Sequence, residues 1–262
     1  MKTLINWKTF FILWVAAILS TTAVLPYAFE LQAELIAQVP ISLPALIALQ
    51  IVQSGILFAI ITFIGLILMK RIGLSTPILD SVTKGVSASD ALRSILPVSI
   101  ALGVIASFII VGLDTYVFQP AMIQDLGDKA VELALTPTAQ PAAWKGFLAS
   151  FYGGITEEIL LRLFVMSLLA WLGSFISKTA EGKPTNSIFW IANILAAILF
   201  GIGHLPTMAL LLPLTTLVVI RTVLLNAVGG IIFGWLYQTR GLESAMIAHF
   251  SADIVLHVIF AL

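Results

Sequence analysis

Thr156-Glu157-Glu158-Ile159-Leu160-Leu161-Arg162 is the stretch that decides the fold. Two adjacent carboxylates and a guanidinium sit inside an apolar run from Trp144 to Ile176. Phe147, Leu148 and Phe151 precede them, and Leu163, Phe164, Val165, Leu168 and Leu169 follow. Ionised groups at such depth cost at least a few kcal/mol each, so they need partners and usually mark function. Helical spacing supplies one partnership: Glu158 and Arg162 are four apart and share a face. Glu157 points about 100° away and is left as the unclaimed carboxylate.

The rest of the chain agrees with a membrane setting. Of 262 residues, 60% are hydrophobic and 10% charged, against about 25% charged in a soluble domain. Mean hydropathy is +1.10. The fold class expected is all-α, a polytopic transmembrane helical bundle of about seven or eight helices. Cysteine is absent, which removes disulfides, thiolate nucleophiles and thiolate metal sites. Net charge is zero, and with neither a basic patch nor a nucleic-acid signature no nucleic-acid partner is expected. Phosphate-binding glycine loops are absent too.

A span needs roughly 20 mainly apolar residues, and seven candidates appear. They run from about Thr9 to Ala28, Pro44 to Met69, Ile95 to Phe118, Trp144 to Ile176, Ile188 to Leu212, Leu214 to Tyr237 and Ala245 to Leu262. Thr21-Thr22-Ala23 is a weak signal-cleavage triplet, but the apolar run continues past it, which favours an anchor. The fourth run exceeds one bilayer thickness, and Gly153-Gly154 is a candidate break in it. Pro206 interrupts the fifth. Lys2, Lys8, Lys70, Arg71, Lys84, Arg93, Lys178, Lys183 and Arg240 fall at the N-terminus or in alternate loops. The positive-inside rule therefore puts the N-terminus in the cytoplasm, and an odd span count puts the C-terminus outside. Loops 30–43 and 119–143 are then extracytoplasmic; the latter holds Asp125, Asp128, Lys129 and Glu132 and is a candidate interfacial helix. The chain reads as one membrane domain: residues 1–143 carry no motif, and residues 144–262 carry the chemistry.

The three histidines, His204, His249 and His257, all lie in expected spans of the C-terminal third. His249 and Asp253 are four apart on one helix face, and His257 continues that stripe. His204 follows Phe200-Gly201-Ile202-Gly203, small residues that permit close helix approach. Glu157 lies roughly 17 Å into its segment at 1.5 Å per residue. The clusters of Glu157, His204 and His249 with Asp253 are therefore expected to meet near mid-membrane. For His257 the ordinary reading is a helix–helix hydrogen bond. Asp114 is expected at an interface, and Arg221 is expected to snorkel or to pair with a carboxylate.

One carboxylate, two histidines and an aspartate suit hydrolysis, with the carboxylate taking a proton from water and imidazole polarising a carbonyl or binding a metal. The same residue types serve a proton relay. No GxSxG elbow or HExxH motif is present. Residue chemistry alone leaves hydrolase and transporter both open, although no internal repeat of the transporter kind is visible.

Taken together, Glu157-Glu158-x-x-x-Arg162, Phe200-x-x-x-His204 and His249-x-x-x-Asp253 match EExxxR, FxxxH and HxxxN/D in order. Over about residues 145–260 the chain resembles the CPBP family, which includes the type II CAAX prenyl proteases and bacterial proteins linked to bacteriocin self-immunity. The resemblance implies a CPBP-type membrane metallo- or glutamate endopeptidase in a bacterial cytoplasmic membrane, acting on a hydrophobic or lipidated peptide among membrane lipid. It implies that Glu157 activates water and that His204 assists the water or binds metal. It assigns His249 and Asp253 to the oxyanion, and Glu158 and Arg162 to holding the geometry. Members are commonly named metalloproteases, and a metal-free glutamate mechanism is also argued. Where the family often has asparagine, this chain has Asp253. An ionised carboxylate can only accept a hydrogen bond, so Asp253 must carry a proton or bind a cation with His204 and His249. The latter N,N,O set suits Zn2+ with an open water position. The alternative is a non-catalytic immunity or peptide-binding protein using the same cavity.

Overall fold

The computed structural model describes residues 5–127 and 141–260. Those residues fold into an all-α bundle in which six helices are long and apolar enough to cross a membrane. They are α1 (Trp7–Leu31), α2 (Leu43–Ile72), α3 (Ser89–Leu126), α5 (Asn186–Met208), α6 (Thr216–Arg240) and α7 (Leu242–Ile259). Between α3 and α5 lies α4, helical over residues 143–173, which carries Glu157, Glu158 and Arg162. Of the expected loop 119–143, Gln119–Leu126 is the last part of α3; Asp128, Lys129 and Glu132, like Lys2 and Leu262, lie outside the described residues.

Local sequence explains the helix ends. Asn6 caps α1, its side-chain oxygen accepting from the amides of Lys8 and Thr9. Pro44 sits in the first turn of α2, where its missing N–H is harmless. Lys70 and Arg71 occupy the last turn of α2, favourable to the helix dipole. Gly73, at φ 85°, then closes it in the left-handed conformation that glycine adopts without strain. In α5 the regular helix stops at Gly203 and restarts over Leu205–Met208, consistent with Pro206 lacking an amide donor.

Helix α4 is the central element. It packs against α1, α2, α5 and α7. Its Ile159, Leu163, Met166 and Ala170 are fully buried in a core shared with Phe58 and Ile61 of α2, Ala192 and Ala196 of α5, and Phe233 and Leu236 of α6. The outer faces are as apolar as the interior: Val52, Ile56 and Ile60 on α2 and Ile191, Ile194 and Ile198 on α5 are exposed. Such a surface belongs in lipid, where helix association relies on close packing and interhelical hydrogen bonds. Ser167 and Tyr237 share one such bond at 2.7 Å, Ser99 and Ser244 another at 2.7 Å. Trp14 Nε1 donates to the carbonyl of Gly55 at 2.7 Å.

The expected orientation has a structural counterpart. Lys183 Nζ donates to the Arg71 carbonyl at 3.0 Å, Arg240 Nη1 to the Ser94 carbonyl at 3.1 Å, and Asn6 Nδ2 to Thr83 Oγ1 at 2.9 Å. The loops rich in lysine and arginine thus gather at one end of the bundle. Lys145 and Glu30 form an ion pair outside that group of loops. Asp114 and Arg221 prove to be partners of each other: Nε and Nη2 of Arg221 each donate to an Asp114 oxygen at 2.6 Å, joining α6 to α3. Asp114 therefore neutralises a buried arginine rather than simply facing an interface.

Candidate active site

Gly153-Gly154 does not break α4. The chain instead winds as π-helix over Tyr152–Glu157 and again over Ile159–Met166, a rare geometry that recurs at functional sites. The glycines serve a different need, which is close approach to α7. A Cβ on Gly153 would overlap the Asp253 carboxylate and come 3.1 Å from His249 Nε2. A Cβ on Gly154 would stand 2.8 Å from Phe250 Cβ. About two turns earlier Gly146 lies against the His257 backbone, and on the opposite flank Gly103 of α3 lies against Ala248. Helix α7 is thereby gripped between α3 and α4, with His249 and Asp253 held against the first motif.

The polar groups meet there. Glu158 Oε1 and His249 Nδ1 are 2.9 Å apart. Glu158 Oε2 lies 3.2 Å from Arg162 Nε, the expected i,i+4 ion pair, with both side chains fully buried. Arg162 also stacks over Phe200, its Cζ 5.7 Å from the ring centre. Glu158 therefore joins Arg162 to His249. Glu157 stays apart from this bridge: its Oε2 is 3.7 Å from His249 Nε2, and Asp253 Oδ1 is likewise 3.7 Å from that atom. Both separations exceed hydrogen-bond length. They put one oxygen of Glu157 and one of Asp253 at the same distance from the imidazole Nε2. Glu157 is the most exposed carboxylate of the group, at 19% of its side chain, against 0% for Glu158.

His249 is also fixed by aromatic packing. Its ring stacks on Phe233 at 4.6 Å and meets the edge of Phe200 at 5.5 Å. Phe200 in turn packs on His204 at 4.7 Å. His204 Nδ1 is 2.9 Å from the Phe200 carbonyl, which leaves its Nε2 as the outward nitrogen. Among the described residues no hydrogen bond or ion pair joins His204 to Glu157, His249 or Asp253. Its link to the group runs through the Phe200 ring. His257 meets Tyr27 of α1 at 5.8 Å, ring edge to face, and its buried Nδ1 has no partner.

These positions bear on a metal. Among the described residues no three His, Asp or Glu side chains form a group able to hold an ion. The imidazole of His249 is committed at Nδ1 to Glu158, and Nδ1 of His204 is 2.9 Å from the Phe200 carbonyl. The set of His204, His249 and Asp253 does not fit a metal as arranged here.

Some of the site was hidden from a motif reading. Thr156, buried beside Glu157, shares a short hydrogen bond with Ser20 of α1 and lies 3.4 Å from Thr21. Helix α1 is thus docked directly on the carboxylate-bearing turn. The sequence signal there is the polar run Ser20-Thr21-Thr22, which overlaps the weak cleavage-like triplet Thr21-Thr22-Ala23 and carries no motif.

Residues 139–255 match the family model described as type II CAAX prenyl endopeptidase, Rce1-like. The match takes in all three motifs and leaves out α1, α2 and α3. No curated protein and no solved structure matches the chain.

Proposed function

We propose, from the match of residues 139–255 to the Rce1-like type II CAAX prenyl endopeptidase family model, that the protein hydrolyses an amide bond of a membrane-associated peptide with a water activated by Glu157. The observation that carries the reading is the Glu158–His249 contact at 2.9 Å. It holds the imidazole by Nδ1 and turns Nε2 toward Glu157 and Asp253.

Glu157, more exposed and free of Arg162, is the base. It takes a proton from water while the water oxygen bonds to the carbonyl carbon of the peptide, and the carbonyl electron pair moves onto oxygen. With Glu158 accepting from Nδ1–H, His249 as the imidazolium donates Nε2–H to that oxyanion, a bond that strengthens as charge develops. Asp253 in its acid form supplies a second donor from the same helix face. When the tetrahedral intermediate collapses, the C–N bond breaks and Glu157 returns its proton to the departing nitrogen. One water is consumed, and a carboxylic acid and an amine are released. His204, packed on the same Phe200 ring as His249, assists the water. No step passes through a metal.

A site so deep among apolar helices suits a hydrophobic or lipidated peptide that reaches it from the bilayer. The basic loops at one end of the bundle support residence in a bacterial cytoplasmic membrane with those loops inside. The test is hydrolysis of hydrophobic peptides by the detergent-solubilised protein in 18O-enriched water. Incorporation of one 18O into each new C-terminal carboxyl is the expected result. Cleavage products lacking the label would remove the activated-water step.

A further inference from the structure

At the lysine- and arginine-rich end of the bundle, well away from Glu157, α2, the end of α4 and the loop after α4 line an open pocket of about 270 Å³. Arg71, Trp171, Ser174, Phe175 and Lys178 line it. Trp171 follows Glu157 by fourteen residues on the same helix, about 21 Å at 1.5 Å per residue, so this pocket is separate from the peptidase site and the inference does not rest on that reading.

Its chemistry is two-sided. The Arg71 guanidinium lies over the Trp171 ring at 5.9 Å, which orients a planar, multidentate donor of the kind that recognises phosphate. Lys178 supplies a second cation across the pocket. Lys183 donates to the Arg71 carbonyl at 3.0 Å, adding positive charge beside it. Glu181, the carboxylate of that loop, is exposed and absent from the lining. Phe175 in the lining and Ile176 next to it in the chain are 71% and 87% exposed. Water would be a poor neighbour for both; the interfacial zone of a bilayer is where aromatic side chains and snorkelling cations sit together.

We propose that this pocket binds an anionic phospholipid of the cytoplasmic leaflet, its phosphate between Arg71 and Lys178 and its acyl chains along Phe175 and Ile176. Charge complementarity selects the headgroup, and the exposed apolar rim selects a lipid over a soluble anion.

Thermal unfolding of the full chain in dodecyl maltoside tests this, with phosphatidylglycerol, phosphatidylcholine or inorganic phosphate added. Phosphatidylglycerol should raise Tm by several degrees, because a ligand that binds the folded form alone stabilises it. Lys178 is exposed in a loop, so Lys178→Gln should fold normally and lose much of the shift. Arg71→Gln combined with Lys178→Gln should lose it all, and Lys84→Gln should keep it. Equal shifts with phosphatidylcholine or with phosphate, or a full phosphatidylglycerol shift in Lys178→Gln and in the double variant, would overturn the proposal.

Discussion

The carboxylate of Glu158 meets Nδ1 of His249 at 2.9 Å, across 91 residues of chain and between two different helices. The second glutamate of the pair is therefore more than the counter-ion of Arg162: it orients the imidazole that faces the reacting volume. Glu158→Gln keeps the shape and removes the charge. It should lower kcat by about 10²- to 10³-fold, as loss of a group that orients a catalytic histidine does, with KM little changed. Steady-state peptide cleavage measures this; an unchanged kcat would leave Glu158 with only the ion pair.

Gly153 is where α4 and α7 come closest at the site. Gly153→Ala places a methyl into the Asp253 carboxylate. Overpacking of this kind typically costs about 1–3 kcal/mol, and here it also displaces Asp253 and His249. Gly112, in α3, has open space around its missing Cβ, so Gly112→Ala should be neutral or stabilise by about 0.5–1 kcal/mol. Chemical unfolding in detergent compares the two; equal effects would mean the glycine at 153 is not needed for the approach.

The Asp114–Arg221 pair fastens α6 to α3 by two hydrogen bonds of 2.6 Å. Arg221→Leu leaves the partly buried Asp114 carboxylate without its partner and should destabilise by about 1–3 kcal/mol. Adding Asp114→Leu should recover most of that loss. A double variant no more stable than the single one would show that the pair is not the interaction at stake.

Asp253 is the position at which a metal and a hydrogen-bond donor lead to opposite outcomes. As a donor it is replaceable: Asp253→Asn should retain cleavage, and protein stripped by a chelator, with metal content checked by elemental analysis, should retain it too. Activity lost on stripping and restored by Zn2+ would contradict the donor role.

The chain has no cysteine, so single cysteines report membrane sidedness without background. Thr179→Cys, beside the basic pocket, should be labelled by an impermeant maleimide only after the membrane is opened. Ala142→Cys, at the far end of α4, should be labelled in intact cells. The reverse pattern would invert the orientation and with it the side from which substrate arrives.

Much of this architecture is legible before any coordinates. Ionisable residues in apolar runs stand out because lipid tolerates them only with partners, so Glu157, Glu158, Arg162, His249 and Asp253 could be singled out, and the i,i+4 ion pair could be read from spacing. Contacts that cross between helices could not. That Glu158 reaches His249, that Asp114 is the partner of Arg221 and that Thr156 bonds Ser20 all depend on which faces pack together. The π-helical winding of α4 leaves no periodic trace: Gly153-Gly154 suggests a break by composition and proves to be a packing surface. That His204 and His249 pack on the same Phe200 ring is likewise a matter of side-chain direction that spacing does not encode.

The most direct measurement compares peptide cleavage by wild type and Glu157→Gln, both purified from the membrane fraction with matched Tm. The account predicts that the variant inserts and folds normally while turnover falls by about 10³-fold or more, the scale of a lost general base. Turnover by Glu157→Gln at the wild-type rate would contradict it, and would leave a bundle that holds peptides without cutting them.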